Sequence, residues 1–383
     1  MPARKLRVLF LATRDSNHPG TTGGDNTLWA TARYLASAGH AVTYVAASYP
    51  GAAKRAVIDG VAVVRLGGIH SMWLTTFVYY MRHCRGRYDV VIAEGFGGSR
   101  IPRWTPLYVR EPIVTEWHQI HRDLFAIQYP RLLNGPLNLL ENLTARIHRN
   151  TLVRAGTTEW KEEFPTIGFK PENVFVVPVS IPEDWISNSA VSPRPPTILW
   201  IGKLRRYKCP DHAVRAMASV LKQVPNAKLV LAIRHDDLAY ERQLRSLVAD
   251  LQLQAHVEFR FNVSETEKRD LLRSARVLVV PSAVEGFGIV VLEANASGAP
   301  VVASTGVPEG AVRDGSNGLR YRFGRIDELS AALVRVLTDN ALHDSLARNG
   351  IAFAKEFTWA KVGAQYESVL QRAVAGRTHM GAA

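Results

Sequence analysis

The stretch Arg276-Val-Leu-Val-Val-Pro-Ser282, followed after two residues by Glu285-Gly-Phe-Gly-Ile-Val-Val-Leu-Glu293, decides the fold. Its first part is apolar, β-branched and closed by Pro281, the signature of a buried parallel strand. Ile289 to Ser297 has the spacing of a helix, stopped by Gly298. Between them lies a turn in which Gly286 and Gly288 let the backbone approach a ligand closely. The first amides of a helix have no intrahelical acceptor and favour a phosphate. Glu293 lies one helical turn beyond Ile289, on the same face, within reach of a sugar hydroxyl. The pattern is strand, carboxylate, glycine turn, helix start, carboxylate, and it suits a ligand carrying both phosphate and sugar. A lone Gly-x-Gly would mean only a turn; the two flanking carboxylates and the buried strand favour a site.

A second motif precedes it. Trp200-Ile-Gly-Lys-Leu-Arg-Arg-Tyr-Lys208 follows the strand pattern Thr197–Ile201. Gly202 is expected to end that strand, with Lys203 and Lys208 flanking a short loop before a helix near Pro210. Two ammonium groups beside a strand-end loop can hold a diphosphate and stabilise it as it leaves. Taken alone the loop is equally well a solvated basic turn. Its expected position, on the same sheet edge as the first motif, is what favours the functional reading.

Outward from these motifs the chain alternates strands and helices, which implies βαβ units and parallel sheets. In the N-terminal half the strand patterns are Leu6–Leu11, Ala41–Ala46, Val61–Leu66, Asp89–Ala93, Ile113–Glu116, Thr151–Ala155 and Val174–Val179. A loop carrying Gly20, Gly23 and Gly24 leads to a helix with Leu28, Ala32 and Leu35 in register. Ser187 to Pro196 has linker composition. Beyond it come Thr197–Ile201, Lys228–Ile233, His256–Phe259, Arg276–Val280, Pro300–Ala303 and Gly318–Tyr321, and Ser264 with Glu267 forms a capping box. The expected fold class is therefore α/β, with two Rossmann-like, doubly wound parallel-sheet domains. These are residues 1–186, a linker 187–196, residues 197–356, and a C-terminal helix 357–383 packing back toward the first domain, with Thr358 as its N-cap. Ligands of such sheets bind beyond the C-terminal strand ends, so two facing domains would make a central cleft.

Composition bounds the remaining possibilities. The 383 residues exceed one ordinary core, and no apolar run reaches the roughly 20 residues needed to span a bilayer. The N-terminus lacks the long apolar region of a signal peptide, and Cys84 and Cys209 are the only cysteines. A reducing, cytoplasmic setting is expected, with no disulfide framework and no cysteine-based zinc site. The net charge of +13 favours anionic partners. Lys and Arg are scattered, however, and no nucleic-acid-binding signature is present, so no nucleic acid is expected as partner.

These residues together resemble the retaining GT-B glycosyltransferases of family four. The resemblance rests on Gly23-Gly24, Ala38-Gly-His-Ala-Val-Thr43, His118 after a strand, and Gly202-Lys203 with Lys208. It continues through Glu285 with Glu293, Gly298-Ala-Pro-Val-Val302, Asp314-Gly-Ser-Asn-Gly-Leu319 and Phe357-Thr-Trp359. It implies the GT-B architecture and a nucleotide-sugar donor as substrate, with UDP, GDP, ADP and dTDP sugars all open, and no further cofactor. Lys203 and Lys208 would hold the donor diphosphate, helped by Gly202, by Gly286, Phe287, Gly288 and Ile289, and by Gly23 and Gly24 from across the cleft. Glu293 would hold the ribose hydroxyls and Glu285 the transferred sugar, with His118 beside it; Glu285, His118 and Lys208 would be the catalytic set. The chain departs from the family pattern at Lys203, where Arg is frequent, at Cys209 in place of a glycine, at Pro178–Ile181 and at Ile233–Asp236.

Retention without an enzymatic nucleophile implies front-face return, in which the protein positions substrates and neutralises the diphosphate without a metal. The pair His118 and His121 has no carboxylate or cysteine partner in the sequence to complete a metal site. The acceptor is a hydroxyl, on a small natural product or on a lipid-linked or polysaccharide sugar. Met72–Tyr80 and Arg100–Trp104, aromatic and basic, are candidates to line it or to touch an anionic membrane peripherally; the commoner role of such a helix is core. Oligomeric state stays open. The rival readings are a GT-B-type epimerase or phosphorylase and, from a different class, a basic non-catalytic nucleic-acid binder.

Overall fold

The computed structural model describes residues 4–96, 102–187, 194–234 and 237–380, the side chains of 377–380 excepted. The chain divides into two compact units. One comprises Met1–His121, Leu132–Ser180 and Trp359–Ala383, the other Arg122–Arg131 and Ile181–Thr358. Arg100, Ile101, residues 188–193, His235 and Asp236 lie outside the described residues.

The first unit begins β1 (Arg7–Leu11), α1 (Gly23–Ser37), β2 (Ala41–Ala47), β3 (Arg55–Ile58), β4 (Val61–Leu66), α2 (Met72–Tyr79), β5 (Val90–Glu94) and β6 (Ile113–Glu116). After α3 (Arg122–Gln128), which clusters with the second unit, come α4 (Arg131–Ile147), β7 (Leu152–Ala155), α5 (Thr158–Glu163) and β8 (Val174–Val176). The eight strands run in the order β3-β4-β2-β1-β5-β6-β7-β8. All are parallel except β3, which is antiparallel to β4. This edge strand, in which Val57 is 77% exposed, is short and has no buried face to betray it in the sequence. All five residues of β5 are buried, as a central strand covered on both faces requires.

The second unit contains β9 (Thr197–Lys203), α6 (Pro210–Val220), β10 (Lys228–Arg234), α7 (Leu238–Asp250), β11 (Val257–Phe261), α8 (Glu265–Ser274), β12 (Val277–Val280) and α9 (Ile289–Ala296). It closes with β13 (Val301–Ser304), β14 (Gly318–Tyr321), α10 (Ile326–Thr338) and α11 (Asn340–Lys355). Its parallel sheet has the order β11-β10-β9-β12-β13-β14. The first strand thus sits centrally, with the chain winding outward first on one side and then on the other. The direction changes between β9 and β12, and such a switch point opens a crevice beyond the strand ends. The core is aliphatic, with Leu199, Leu229, Leu231, Leu278 and Leu333 essentially inaccessible. Helix α8 begins with the Ser264–Glu267 capping box.

The last helix, α12 (Trp359–Met380), belongs to the first unit. Val362, Tyr366, Leu370 and Ala373, spaced three and four apart, enter the cluster formed by Val8, Phe10, Leu28 and Ile92. Trp359 stacks on Tyr34 at 4.9 Å and 11°. The Tyr366 hydroxyl donates to buried Glu116 at 2.5 Å, and Arg154 donates to the other oxygen of that carboxylate at 2.9 Å. Arg154 also donates to the carbonyls of Val177 and Pro178. Burial would raise the Glu116 carboxyl, but Arg154 outweighs it and holds the group below the ordinary range.

Candidate functional site

The switch point of the second sheet brings the two sequence motifs together. The loop after β9 and the loop after β12 are joined by the Ala283 amide, which donates to the Tyr207 carbonyl at 2.7 Å. Contrary to the sequence reading, Gly202 does not end its strand. β9 continues through Lys203, whose register partner is Arg234 on β10. Pairing with Ile233 and Arg234 of the neighbouring strand supplies this extension, which apolar periodicity does not reveal. A 3-10 turn, Arg206–Lys208, then aims Lys208 at β12.

Lys208 Nζ lies 2.5 Å from Glu285 Oε1, and the Ser282 hydroxyl donates to the same oxygen at 2.7 Å. Among the described residues Glu285 Oε2 accepts no hydrogen bond. Glu285 is 7% exposed, and its backbone amide donates to the Gly306 carbonyl at 3.0 Å. Burial lowers the Lys208 ammonium, but Glu285 outweighs it and the group titrates above the ordinary lysine range. A Cβ at Gly306 would collide with the carbonyl oxygens of Ser282 and Ala283. The glycine is therefore needed for close approach of the loops after β12 and β13, without any positive φ to announce it.

Gly288 has φ +84° and serves as N-cap of α9, whose first residue is Ile289. Gly286 is partly exposed, whereas Phe287 is buried against Phe357 at 5.6 Å. Glu293 lies one turn into α9 and is 8% exposed. Its Oε1 accepts from Lys268 Nζ at 2.9 Å, and among the described residues Oε2 accepts nothing. Burial raises the Glu293 carboxyl above its ordinary range, with Lys268 opposing. Each signature carboxylate thus has one oxygen held by a lysine and one open. The sequence reading missed Lys268. The available signal was its place on α8, three and four residues before the buried Leu271 and Leu272, where an apolar side chain belongs.

Cys209 has φ +45° and ψ +49°, the left-handed conformation that a glycine adopts without strain. Its thiol donates to the Arg206 carbonyl at 3.2 Å, and burial raises it to about 12.

In the first unit, Gly23 and Gly24 form the first turn of α1 rather than a loop, capped by Thr22 with Asp25. A Cβ at Gly24 would lie 2.8 Å from two ring atoms of His118. Two residues 94 positions apart in sequence therefore pack in contact. His118 Nε2 is buried without a partner among the described residues. Burial keeps the ring below the ordinary histidine range, against the pull of Glu116, so it is neutral near pH 7. His121 instead pairs with Glu141 at 2.7 Å.

Helix α2 is not the core element its composition suggests. Trp73, Leu74, Phe77 and Val78, with Met81 just beyond the helix, are 36–51% exposed, and only Met72 and Thr76 of α2 are buried. Phe77 meets Tyr108 edge-on at 5.1 Å. Arg103, a candidate basic surface residue, is buried and donates to Thr13 at 3.2 Å, while the Trp104 indole donates to Thr144 at 3.2 Å. Among the described residues no helix is long and apolar enough to cross a membrane.

Two Rossmann-like sheets, the second with a basic loop and spaced carboxylates at its switch point, define a protein of GT-B architecture. Comparison with known proteins agrees. The family model for glycosyl transferases group 1 matches residues 183–353, and that for a glycosyl transferase 4-like domain matches residues 22–180. The two models match successive halves of the chain and make it similar to the group 1 glycosyltransferases. Curated relatives include D-inositol 3-phosphate glycosyltransferases. That of Corynebacterium aurimucosum is 29% identical over 177 residues, covering 45% of this chain and 42% of the relative. That of Acidothermus cellulolyticus is 32% identical over 225 residues, covering 54% and 50%. The chain thus matches about half of the length of these relatives, or less. Among solved structures, sucrose-phosphate synthase from Thermosynechococcus elongatus superposes with a TM-score of 0.79 at 19% identity, covering 99% of this chain and 100% of that one. Anabaena HepE in complex with UDP-glucose gives 0.73 at 17%, covering 96% and 100%.

Proposed function

We propose that this protein is a retaining, metal-independent glycosyltransferase that moves a sugar from a nucleotide-sugar donor to an acceptor hydroxyl. The observation that carries the proposal is the meeting of Lys208 with Glu285 at the switch point, beside the N-terminus of α9 and one turn from Glu293. In this reading residues 197–356 form the donor-binding domain and residues 1–186 the acceptor-binding domain. Lys203, Lys208, Gly202 and the Gly286–Ile289 turn take the diphosphate. The open oxygen of Glu293 takes the ribose and that of Glu285 the sugar. Gly23 and Gly24 complete the phosphate site, and the neutral His118 donates or accepts one hydrogen bond beside the sugar. The family relationship supports the reaction class, and the UDP-glucose bound to the HepE neighbour supports the donor class.

The chemistry follows from this arrangement. The C–O bond to the diphosphate breaks, and the two lysines and the helix amides stabilise the charge that develops. The acceptor hydroxyl attacks the face the diphosphate has left, and its proton passes to a leaving phosphate oxygen. The protein contributes position and positive charge, and no divalent ion is required.

A further part of the proposal concerns the setting, which we place at the cytoplasmic face of an anionic membrane, with a lipid-linked acceptor. The support is the outward apolar face of α2 beside Arg82, Arg85 and Arg87, in a stretch from Gly60 to Tyr88 that contains no carboxylate.

A thermal-shift panel of UDP, GDP, ADP and dTDP sugars tests the donor, because the bound nucleotide raises the melting temperature. The anomeric configuration of the product, read by NMR, tests retention. An inverted product would remove the front-face mechanism, and undiminished turnover in EDTA is expected.

A further inference from the structure

We infer that Lys268 is a positioning residue for the donor's ribose: it holds one oxygen of Glu293, so that the other oxygen is presented to the ribose diol. The inference rests on the donor reading of Glu293 given above and goes beyond it to a residue outside the family signature.

The geometry is specific. Lys268 Nζ lies 2.9 Å from Glu293 Oε1 and 2.8 Å from Glu265 Oε2, with the ring centroid of buried Trp185 at 4.9 Å. Two ion pairs and one aromatic face fix the ammonium over the buried carboxylate. Trp185 also carries Arg269 at 4.5 Å, itself paired with Asp184 at 2.8 Å, so the ring is a rigid wall for both cations. Lys268 and Glu293 are 16% and 10% exposed at the side chain, whereas Glu265 is 73% exposed. Glu293 is therefore the partner shielded from water, where the interaction is strong.

A ribose diol donates two hydroxyl hydrogens, and a carboxylate is the acceptor that matches them. A buried carboxyl without a nearby cation takes up a proton instead and loses that capacity. The groups facing Glu293 are Lys268 and Glu265 of α8, with Arg269 more distant. Lys268 is the cation that touches it, and Glu265 acts in the opposite sense. With Lys268 removed, Glu293 loses both the anchor of one oxygen and the cation that favours its charged form, so ribose recognition should weaken, and more at low pH than at high pH.

The test compares the affinity of the purified full chain for a nucleoside diphosphate and for its 2′,3′-dideoxy counterpart, by calorimetry between pH 6 and 9. The base is chosen as the one that binds the wild type. Wild type should prefer the ribose form about tenfold or more across the range. In Lys268→Met that preference should fall at least severalfold, most at the low end of the range, while affinity for the dideoxy form stays unchanged. Lys268→Arg should retain it and serves as the second variant should the Met substitution not fold. A Met variant that discriminates as wild type does at every pH, or an Arg variant that loses discrimination, overturns the inference. Failure of wild type to bind any nucleoside diphosphate would instead overturn the donor reading itself.

Discussion

Lys208 and Glu285, one on each side of the switch point between β9 and β12, form a buried ion pair at 2.5 Å on an oxygen that also accepts from Ser282. The residue proposed for the diphosphate and the residue proposed for the sugar neutralise each other. The ammonium has two further N–H groups and the carboxylate a second oxygen, so a donor can engage both without breaking the pair.

This pairing separates stability from activity. Lys208→Met should cost about 2 kcal/mol, because it strands a buried carboxylate. Adding Glu285→Gln should restore most of the lost stability. Both the single and the double variant should lose on the order of a thousandfold in kcat/KM, as expected when charge stabilisation of a leaving group is removed. Urea melts and initial rates on the same preparations check this; a double variant no more stable than the single one would show that the pair is not coupled.

At Gly306 the loops after β12 and β13 come too close for a side chain. Gly306→Ala should destabilise the second unit by about 2 kcal/mol through overpacking and displace Ser282 and Ala283. Donor binding should weaken with it. Gly315→Ala, at a glycine with φ +69° and open space around it, should cost about 1 kcal/mol and leave donor affinity untouched.

Contact between Gly24 and His118 predicts non-additivity. Gly24→Ala should push the His118 ring aside and lower kcat/KM about tenfold, with little loss of stability. In the double variant with His118→Ala the added methyl no longer meets the imidazole, so the combined loss should be smaller than the product of the two single losses. Additive losses in steady-state kinetics would refute the contact as the cause.

Acid should weaken the first unit. His148 is buried, its Nε2 donating to the Arg103 carbonyl at 2.6 Å while Nδ1 meets the Thr115 hydroxyl at 2.8 Å; burial lowers it to about 4. Above pH 6.5 the ring is neutral whether folded or unfolded and pH has no effect through it. Below that, the unfolded chain binds a proton that the folded ring refuses, so stability falls as pH drops from about 6.5 to 4, by up to about 3 kcal/mol. Denaturation at pH 7.5 and 5 should show a clear loss for wild type and a smaller one for His148→Gln.

Membrane docking predicts salt-sensitive co-sedimentation with vesicles containing anionic lipid and none with neutral ones. Arg82→Glu with Arg85→Glu should abolish it, and Trp73→Ser with Phe77→Ser should weaken it about tenfold or more. Wild type that stays in the supernatant with anionic vesicles at low salt would sink the membrane part of the proposal.

The division between what was legible in the chain and what was not follows the range of the interactions. Strand patterns such as Val61–Leu66 and Gly318–Tyr321, the Ser264–Glu267 capping box and the helix after Gly288 rest on neighbours within a few residues, and the amino-acid sequence alone determined them. It also marked the candidate site, because spaced carboxylates, a glycine turn and a basic loop are local patterns with local chemistry. Strand order depends on which distant segments pair, and β3, the extension of β9 through Lys203 and the placing of β9 beside β12 were decided only in the folded chain. The same holds for Lys268 on Glu293, Gly24 against His118 and Tyr366 on Glu116, contacts that close loops of 25 to 250 residues. Helix α2 reads as core by composition and is exposed because no other element covers its outer face among the described residues; hydrophobicity is a property of the chain, and burial a property of the fold.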